Sequence, residues 1–372
     1  MLSTSQVIND NRIVIGNGRF SIHGIDHIAI PLNIIALLHK YFPYSPIFYQ
    51  SGKIQGLIAS TSIMESQKLP RNISSFEHLL KLSEVFGYGL VCVKSYDAKQ
   101  IVLEASSTLS KQYQKLFSSS CADHFLAGFC TGISEQILGK TMKGEIADSI
   151  IKISLANDPQ GELRLGNLSS ITSSFSQTEA SKKIIGHDLL SYNSGWFLIA
   201  GIPGHVYGNE SFVLMYHLLQ EKYGDEFTKV LYTLGKAQSR QIGKYQIEKF
   251  GLDKNQFLNI FVQQSEMQGI GVVSIEDSKD GRFLFRHERN TFALKHLNHF
   301  GKASNGIDFY MCGLLCGAVE AIFGTEYEGQ EIQCMAKKAP YCSYELHKSG
   351  KSAGFDPLIE QALSFSAMLP AI

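Results

Sequence analysis

Glu331, Cys334 and Cys342 are the residues of this chain whose types and spacing best suit chemistry. Glu331 and Cys334 are separated by two residues, and Cys342 returns after a Pro340-Tyr341 turn. Two thiols and a carboxylate brought together by a hairpin suit zinc, which takes thiolate sulfur and carboxylate oxygen in a tetrahedral set. Asp308, at the mouth of the preceding helix, is the candidate fourth ligand. The competing reading is that both cysteines are small buried residues, as free cysteines often are. No Cys-x-x-Cys pair breaks that tie.

The elements that must position these groups lie in the same stretch, DFYMCGLLCGAVEAIFGTEYEGQEIQCMAKKAPYCSYEL, from Asp308 to Leu346. It reads as a helix carrying Gly313 and Gly317, a stop at Gly324 and a closing hairpin. Glycine inside a helix is worse than alanine by about 1 kcal/mol. Four apart, the two glycines share one face, where another backbone can approach closely. One reading is tight helix packing. The other is a wall of a buried apolar pocket, lined by Tyr310, Met311 and Leu314 and, in an earlier copy of the segment, by Phe125 and Phe129.

That earlier copy belongs to a duplication of the whole unit. Tyr49-x-x-Gly52-Lys53-x-Gln55 matches Tyr232-x-x-Gly235-Lys236-x-Gln238, an offset of 183. Phe86-Gly-Tyr-Gly89 matches Gln268-Gly-Ile-Gly271 at 182, and Gly128, Gly132, Gly139 and Gly144 match Gly313, Gly317, Gly324 and Gly329 at 185. Each copy reads as several helices, an antiparallel strand pair and a closing hairpin. Leu32–Tyr41 and Phe212–Tyr223 are expected as amphipathic helices, and the Tyr-x-x-Gly-Lys segments as the starts of second ones. Phe76–Phe86 and Phe257–Met267 make third helices that stop at Gly-x-Gly. Strands Leu90–Val93 with Ile101–Glu104, and Val272–Ile275 with Phe283–Arg286, follow. The expected organisation is a first repeat at 1–166, a serine- and threonine-rich linker at 167–183, a second repeat at 184–350 and a tail helix at 351–372. Ala147 to Gly161 supplies no thiols after Glu145, so zinc is expected in the second repeat only.

Composition narrows the function classes. Lysine plus arginine and aspartate plus glutamate both number 34, so no net field favours nucleic acid. Hydrophobic content of 44% with 18% charge describes a folded chain with enough apolar surface for two cores. The start, MLSTSQVINDNRIVIG, lacks the pattern of a signal peptide, and apolar stretches such as Ile28 to Leu38 are too short to span a bilayer. Seven scattered cysteines suit a reducing compartment, and a cytoplasmic location is expected. His287, His296 and His299 read as surface helix positions, whereas His27 and His205 could line a pocket. The glycines near Gly16 and Ala200 lack the strand-turn-helix context of a cofactor loop, and no nucleophile elbow is present.

The segment GLLCGAVEAIFGTEYEGQEIQCMAKKAPYC resembles the 4-vinyl-reductase-like, or hydrocarbon-binding, domain, with EIQCMAKKAPYC following that family's most specific mark. The resemblance covers roughly Gly195 to Lys348 and reaches the first unit through the repeat. It implies an α+β fold related to acyl-chain-burying subunits of a vesicle-tethering complex. It also implies a zinc held by a cysteine, then glutamate, cysteine and cysteine. Glu331, Cys334 and Cys342 fall on the last three; Asp308 stands in place of the first cysteine, a harder ligand. Three functions follow. The first is a non-catalytic binding or sensing protein for a small hydrophobic molecule, with a structural zinc. The second is an accessory factor or reductase of tetrapyrrole metabolism, against which stands the lack of a recognisable nicotinamide or flavin site. The third is a dimeric scaffold. The family's habit of pairing implies a homodimer or an internal pseudo-dimer, and any signal must leave through a protein partner not identified by sequence.

Overall fold

A computed structural model describes residues 13–16, 19–97, 99–106, 108, 111, 123–156, 190–193, 196–199, 202–279, 281–350, 357, 359, 360 and 363. The expected linker at 167–183 lies outside these residues, as does most of the expected tail helix. Contacts cluster into two units that divide in the middle of the chain between Met215 and Tyr216.

The two halves run through their shared elements in the same order, with one more helix, Thr291–Phe300, described in the second. The first begins with strands β1 (Ile13–Gly16), β2 (Arg19–Ile22) and β3 (Ile25–Pro31), then helices α1 (Leu32–Tyr41), α2 (Ser45–Gln67) and α3 (Ile73–Val85). Strands β4 (Leu90–Tyr96) and β5 (Gln100–Ser106) follow, then α4 (His124–Leu138) and the hairpin β6 (Met142–Ala147) and β7 (Ile150–Leu155). The second has β8 (Leu190–Asn193), β9 (Trp196–Ile199) and β10 (Ile202–Gly208), then α5 (Asn209–Tyr223), α6 (Asp225–Phe250) and α7 (Lys254–Met267). It continues with β11 (Val272–Lys279), β12 (Arg282–Glu288), α8 (Thr291–Phe300), α9 (Phe309–Phe323), β13 (Tyr327–Gln333) and β14 (Cys342–Lys348). The fold is α+β and built from two repeats.

Sheet order repeats with the elements. Each half has a four-stranded antiparallel sheet, β4-β5-β7-β6 in one and β11-β12-β14-β13 in the other. One irregularity repeats as well: the register slips between Val93 and Ser95 in β4, and between Ile275 and Asp277 in β11. An extra residue at the same place in both edge strands twists each edge away from further pairing. The Gly-x-Gly stops also behave alike, with Gly87 and Gly89 at φ 80° and 112°, and Gly269 and Gly271 at 73° and 137°.

Two expectations are corrected. The Tyr-x-x-Gly-Lys segments lie inside long helices and not at their starts, because α2 begins at Ser45 with a proline in its first turn and α6 begins at Asp225. A six-stranded sheet, β1-β2-β3-β10-β9-β8, was not expected at all. In it β10 pairs antiparallel with β3, so that Tyr207 faces Ile28 and Gly208 faces His27. Contact clustering places β10 in the first unit with β3.

Candidate metal centre and aromatic interior

The repeated Tyr-x-x-Gly-Lys motif anchors the closing hairpin to the paired helices, identically in each unit. Tyr232 Oη accepts the backbone N–H of Gly329 at 3.1 Å, and Tyr49 Oη that of Gly144 at 2.8 Å. Lys236 Nζ lies 2.9 Å from Glu320 and donates to the Tyr327 carbonyl at 2.7 Å. Lys53 lies 2.8 Å from Glu135 and donates to the Met142 carbonyl at 3.3 Å. Each glutamate in turn accepts the N–H of the residue that opens the hairpin, Tyr327 at 2.8 Å and Met142 at 2.7 Å. Buried charges persist only when paired and hydrogen-bonded, and both pairs meet that condition.

The glycines let the helices close to backbone contact. A Cβ on Gly313 would sit 2.1 Å from the Tyr232 carbonyl oxygen, and one on Gly317 2.1 Å from that of Lys236. In the first unit a Cβ on Gly128 would meet the Tyr49 carbonyl oxygen at 1.9 Å, while one on Gly52 would meet that of Phe125 at 2.0 Å. Gly313 and Gly317 therefore face the α6 backbone. Helix α9, held between α6 and the hairpin, is buried continuously from Tyr310 to Glu320.

The hairpin tips differ between repeats. In the first unit β6 turns straight into β7 through Asp148 and Ser149, and Glu145 is exposed, paired with Lys143 at 2.8 Å. In the second, β13 runs out at Gln333 into a short 3₁₀ turn, Met335–Lys337, with Lys338 at φ 70° before the chain returns at Cys342. That excursion folds both thiols inward. Ligand atoms of Glu331, Cys334 and Cys342 all lie within 4.8 Å of one another. Cys334 and Cys342 are buried and Glu331 half-buried.

The donor set fits a thiophilic divalent cation. Glu331 Oε2 accepts the N–H groups of Ile307 at 2.8 Å and Asp308 at 3.2 Å, while Oε1 is buried without a hydrogen-bond partner. The Met335 N–H points at Cys342 Sγ, 3.3 Å away. Such N–H groups favour thiolate over thiol. Burial pushes the Glu331 carboxyl up to about 8, and the nearby Cys334 charge adds to this. The hydrogen bond between the cysteines holds Cys334 down to about 6 and pushes Cys342 up. Three acids crowded in a low dielectric resist carrying their full charge together, and a cation relieves that directly.

Asp308 stands apart from this cluster. Its Oδ1 caps α9 by accepting the Met311 N–H at 3.1 Å. Its Oδ2 accepts from Asn290 Nδ2 at 2.6 Å and Tyr344 Oη at 3.1 Å. Asn290 also caps α8 through the Ala293 N–H at 2.9 Å and reaches to 3.5 Å from Cys342 Sγ. Burial raises Asp308 to about 6. Sequence reasoning missed Asn290 and Tyr344 because their roles arise only from strand register and capping. It misplaced His287 and His296: His287 lies on β12, fully buried, with Nε2 3.2 Å from the Ile270 carbonyl, and His296 is buried on α8. Only His299 is exposed as expected. Cys312 and Cys316, also buried, turn their sulfurs towards Gly329, with Cys316 3.2 Å from Tyr232 Oη.

Among the expected pocket residues, Phe125 and Phe129 come together in the first unit. Tyr88 stands edge-on to both, at 5.1 and 5.4 Å between ring centres, and Tyr207 packs on Phe125 at 4.7 Å. Tyr88 Oη donates to the Val206 carbonyl, and Gln55 Nε2 donates to Tyr88 Oη at 2.6 Å. His205 joins this interior 3.0 Å from Tyr207 Oη. In the second unit Tyr310 Oη donates to Gln238 at 2.6 Å, and Met311 and Leu314 are buried. A cavity of about 10 Å³ in the first unit is lined by residues including Ile25, His27, Gln55 and Ser211. It holds one water at most.

No family model and no curated protein matches the chain. Among solved structures it is similar to the phenol-responsive sensory domain of the transcription activator PoxR, at 15% identity and a TM-score of 0.41, covering 52% of this chain and 98% of that one. It is similar to a trafficking protein particle complex subunit 3 from Naegleria fowleri covalently bound to palmitic acid, at 12% identity and a TM-score of 0.30, over 39% of this chain and 98% of that one. A vinyl-4-reductase family protein from Methanocaldococcus jannaschii is similar at 15% identity and a TM-score of 0.26, over 36% of this chain and 79% of that one.

Proposed function

We propose that this protein binds a small hydrophobic molecule without transforming it, and that a structural zinc pins the hairpin of its second repeat. The observation that carries the reading is the hairpin-tip cluster of Glu331, Cys334 and Cys342, with its buried, unpartnered carboxylate oxygen. The same residues carry the resemblance to hydrocarbon-binding domains. Zinc there would supply folding energy to an element that already closes over α9. The ligand's place is the aromatic interior around Tyr88, Phe125 and Phe129, whose polar atoms are largely turned to internal partners, leaving ring faces and edges for an apolar guest. The rings are packed against one another, so binding must part them, which would couple occupancy to a change of shape.

Two measurements on the purified chain test this. Native mass spectrometry with solvent extraction should find an aliphatic or aromatic compound; a tetrapyrrole would instead favour a biosynthetic accessory role, and an empty protein a scaffold. Elemental analysis should find zinc in the wild type and none in Cys334→Ser with Cys342→Ser. Zinc retained by that double variant would sink the metal assignment.

A further inference from the structure

We infer that the metal centre of the second repeat has three protein donors and an exchangeable fourth position, because Asp308 is committed elsewhere. This rests on the metal reading above and changes what the metal can do. Both carboxylate oxygens of Asp308 have partners: Oδ1 the Met311 N–H at 3.1 Å, Oδ2 Asn290 at 2.6 Å and Tyr344 at 3.1 Å. To ligate a metal through Oδ2, Asp308 would surrender the shortest contact of the Asn290 amide, which otherwise lies 3.1 Å from His287 Nδ1 and 3.5 Å from Cys342 Sγ, together with the hydrogen bond from the Tyr344 hydroxyl. Swinging Oδ1 instead would uncap α9, whose Met311 N–H it accepts. Glu331 has the opposite arrangement, with Oε2 bonded to backbone N–H groups and Oε1 buried and unpartnered.

The distinction matters chemically. A zinc closed by four protein ligands only braces the fold, whereas three protein ligands brace it and leave a site for water or an incoming donor. The fourth position here would take water at rest and a small monodentate donor, such as a thiol or cyanide, in exchange. Asp308 instead caps α9 and holds Asn290 and Tyr344, without touching the metal.

Cobalt(II) in place of zinc reports coordination directly through its visible bands. The full-length wild type is loaded with cobalt and titrated with cyanide, and Asp308→Asn is treated in parallel with circular dichroism as the folding control. The expected result is a thiolate-cobalt spectrum whose ligand-field bands shift on adding cyanide, with the same spectrum and shift in Asp308→Asn. A wild-type spectrum indifferent to cyanide overturns the open position, and this arm needs no variant to fold. A folded Asp308→Asn with displaced bands or lost cobalt overturns it too, while leaving the metal centre standing. Failure of the wild type to bind cobalt at all removes the metal reading and this inference together.

Discussion

At the residue scale, a buried lysine–glutamate pair ties the closing hairpin to the paired helices in each repeat. Lys236 and Glu320 have side chains 7% and 2% exposed, so neither charge can retreat to solvent. Removing one partner of a buried pair strands the other, a loss of about 3–5 kcal/mol. Arg240, 3.8 Å from the second Glu320 oxygen, offsets this only in part. Lys236→Met should therefore lower the urea midpoint by an amount equivalent to several kcal/mol, and a loss under about 1 kcal/mol, typical of an exposed pair, would refute the assignment. Joint replacement by Lys236→Met with Glu320→Leu should recover part of the loss, since it removes the stranded Glu320 charge while Glu326, 3.3 Å from Lys236, still loses its partner. Sequence alone marked Lys53 and Lys236 as repeat-equivalent. It could not reveal their partners, which stand more than eighty residues away and are joined only when two helices and a hairpin converge.

At the element scale, the glycine spacing was legible and so was its packing use. The four-residue interval put Gly313 and Gly317 on one face, and that face meets the α6 backbone. A methyl group at Gly317 collides with a carbonyl oxygen, which cannot move without shifting the helix. Overpacking of this kind is unfavourable by about 1–3 kcal/mol, more than the roughly 1 kcal/mol that alanine gains in helix propensity. Gly317→Ala should thus lower the melting temperature, whereas Gly350→Ala, with nothing within 4 Å, should leave it unchanged within error. The six-stranded sheet was not legible for physical reasons. Strands β8 and β9 have four residues each, too few for a period-two pattern to stand out. Strand β3 runs into α1 at Pro31 with no turn between, so its apolar residues merge with those of the helix. Helix α2 is buried on most of its circumference, which hides the stripe that would have revealed its true start.

At the scale of the whole molecule, the two units, which do not coincide with the two sequence repeats, respond to different solution conditions. In the first unit His27, His39 and His205 are buried neutral, and burial lowers each from 6.5 to about 3. The unfolded chain binds protons at these sites below pH 6.5 and the folded one does not until about pH 3. Stability from them is therefore complete above pH 6.5 and is lost as pH falls through that window, by up to about 1.4 kcal/mol per pH unit for each group. Hydrogen exchange in α1 and β3 should accelerate between pH 6.5 and 5 once the intrinsic pH dependence is removed; unchanged protection would mean that the histidines are solvated. Metal removal should act on the other unit. The Cys334–Tyr341 excursion has a single short 3₁₀ turn of its own, and without a cation its acids are left crowded together. The loss should spread inward through Glu331, whose Oε2 holds the Ile307 and Asp308 N–H groups at the entry to α9. A chelator should thus raise exchange at Ile307, Asp308 and along β13 and β14, while β6 and β7, whose tight turn carries no thiol, keep their protection. Equal deprotection of both hairpins would show that the chelator unfolds the chain globally, and no change in either would show that the thiols hold the tip without a metal.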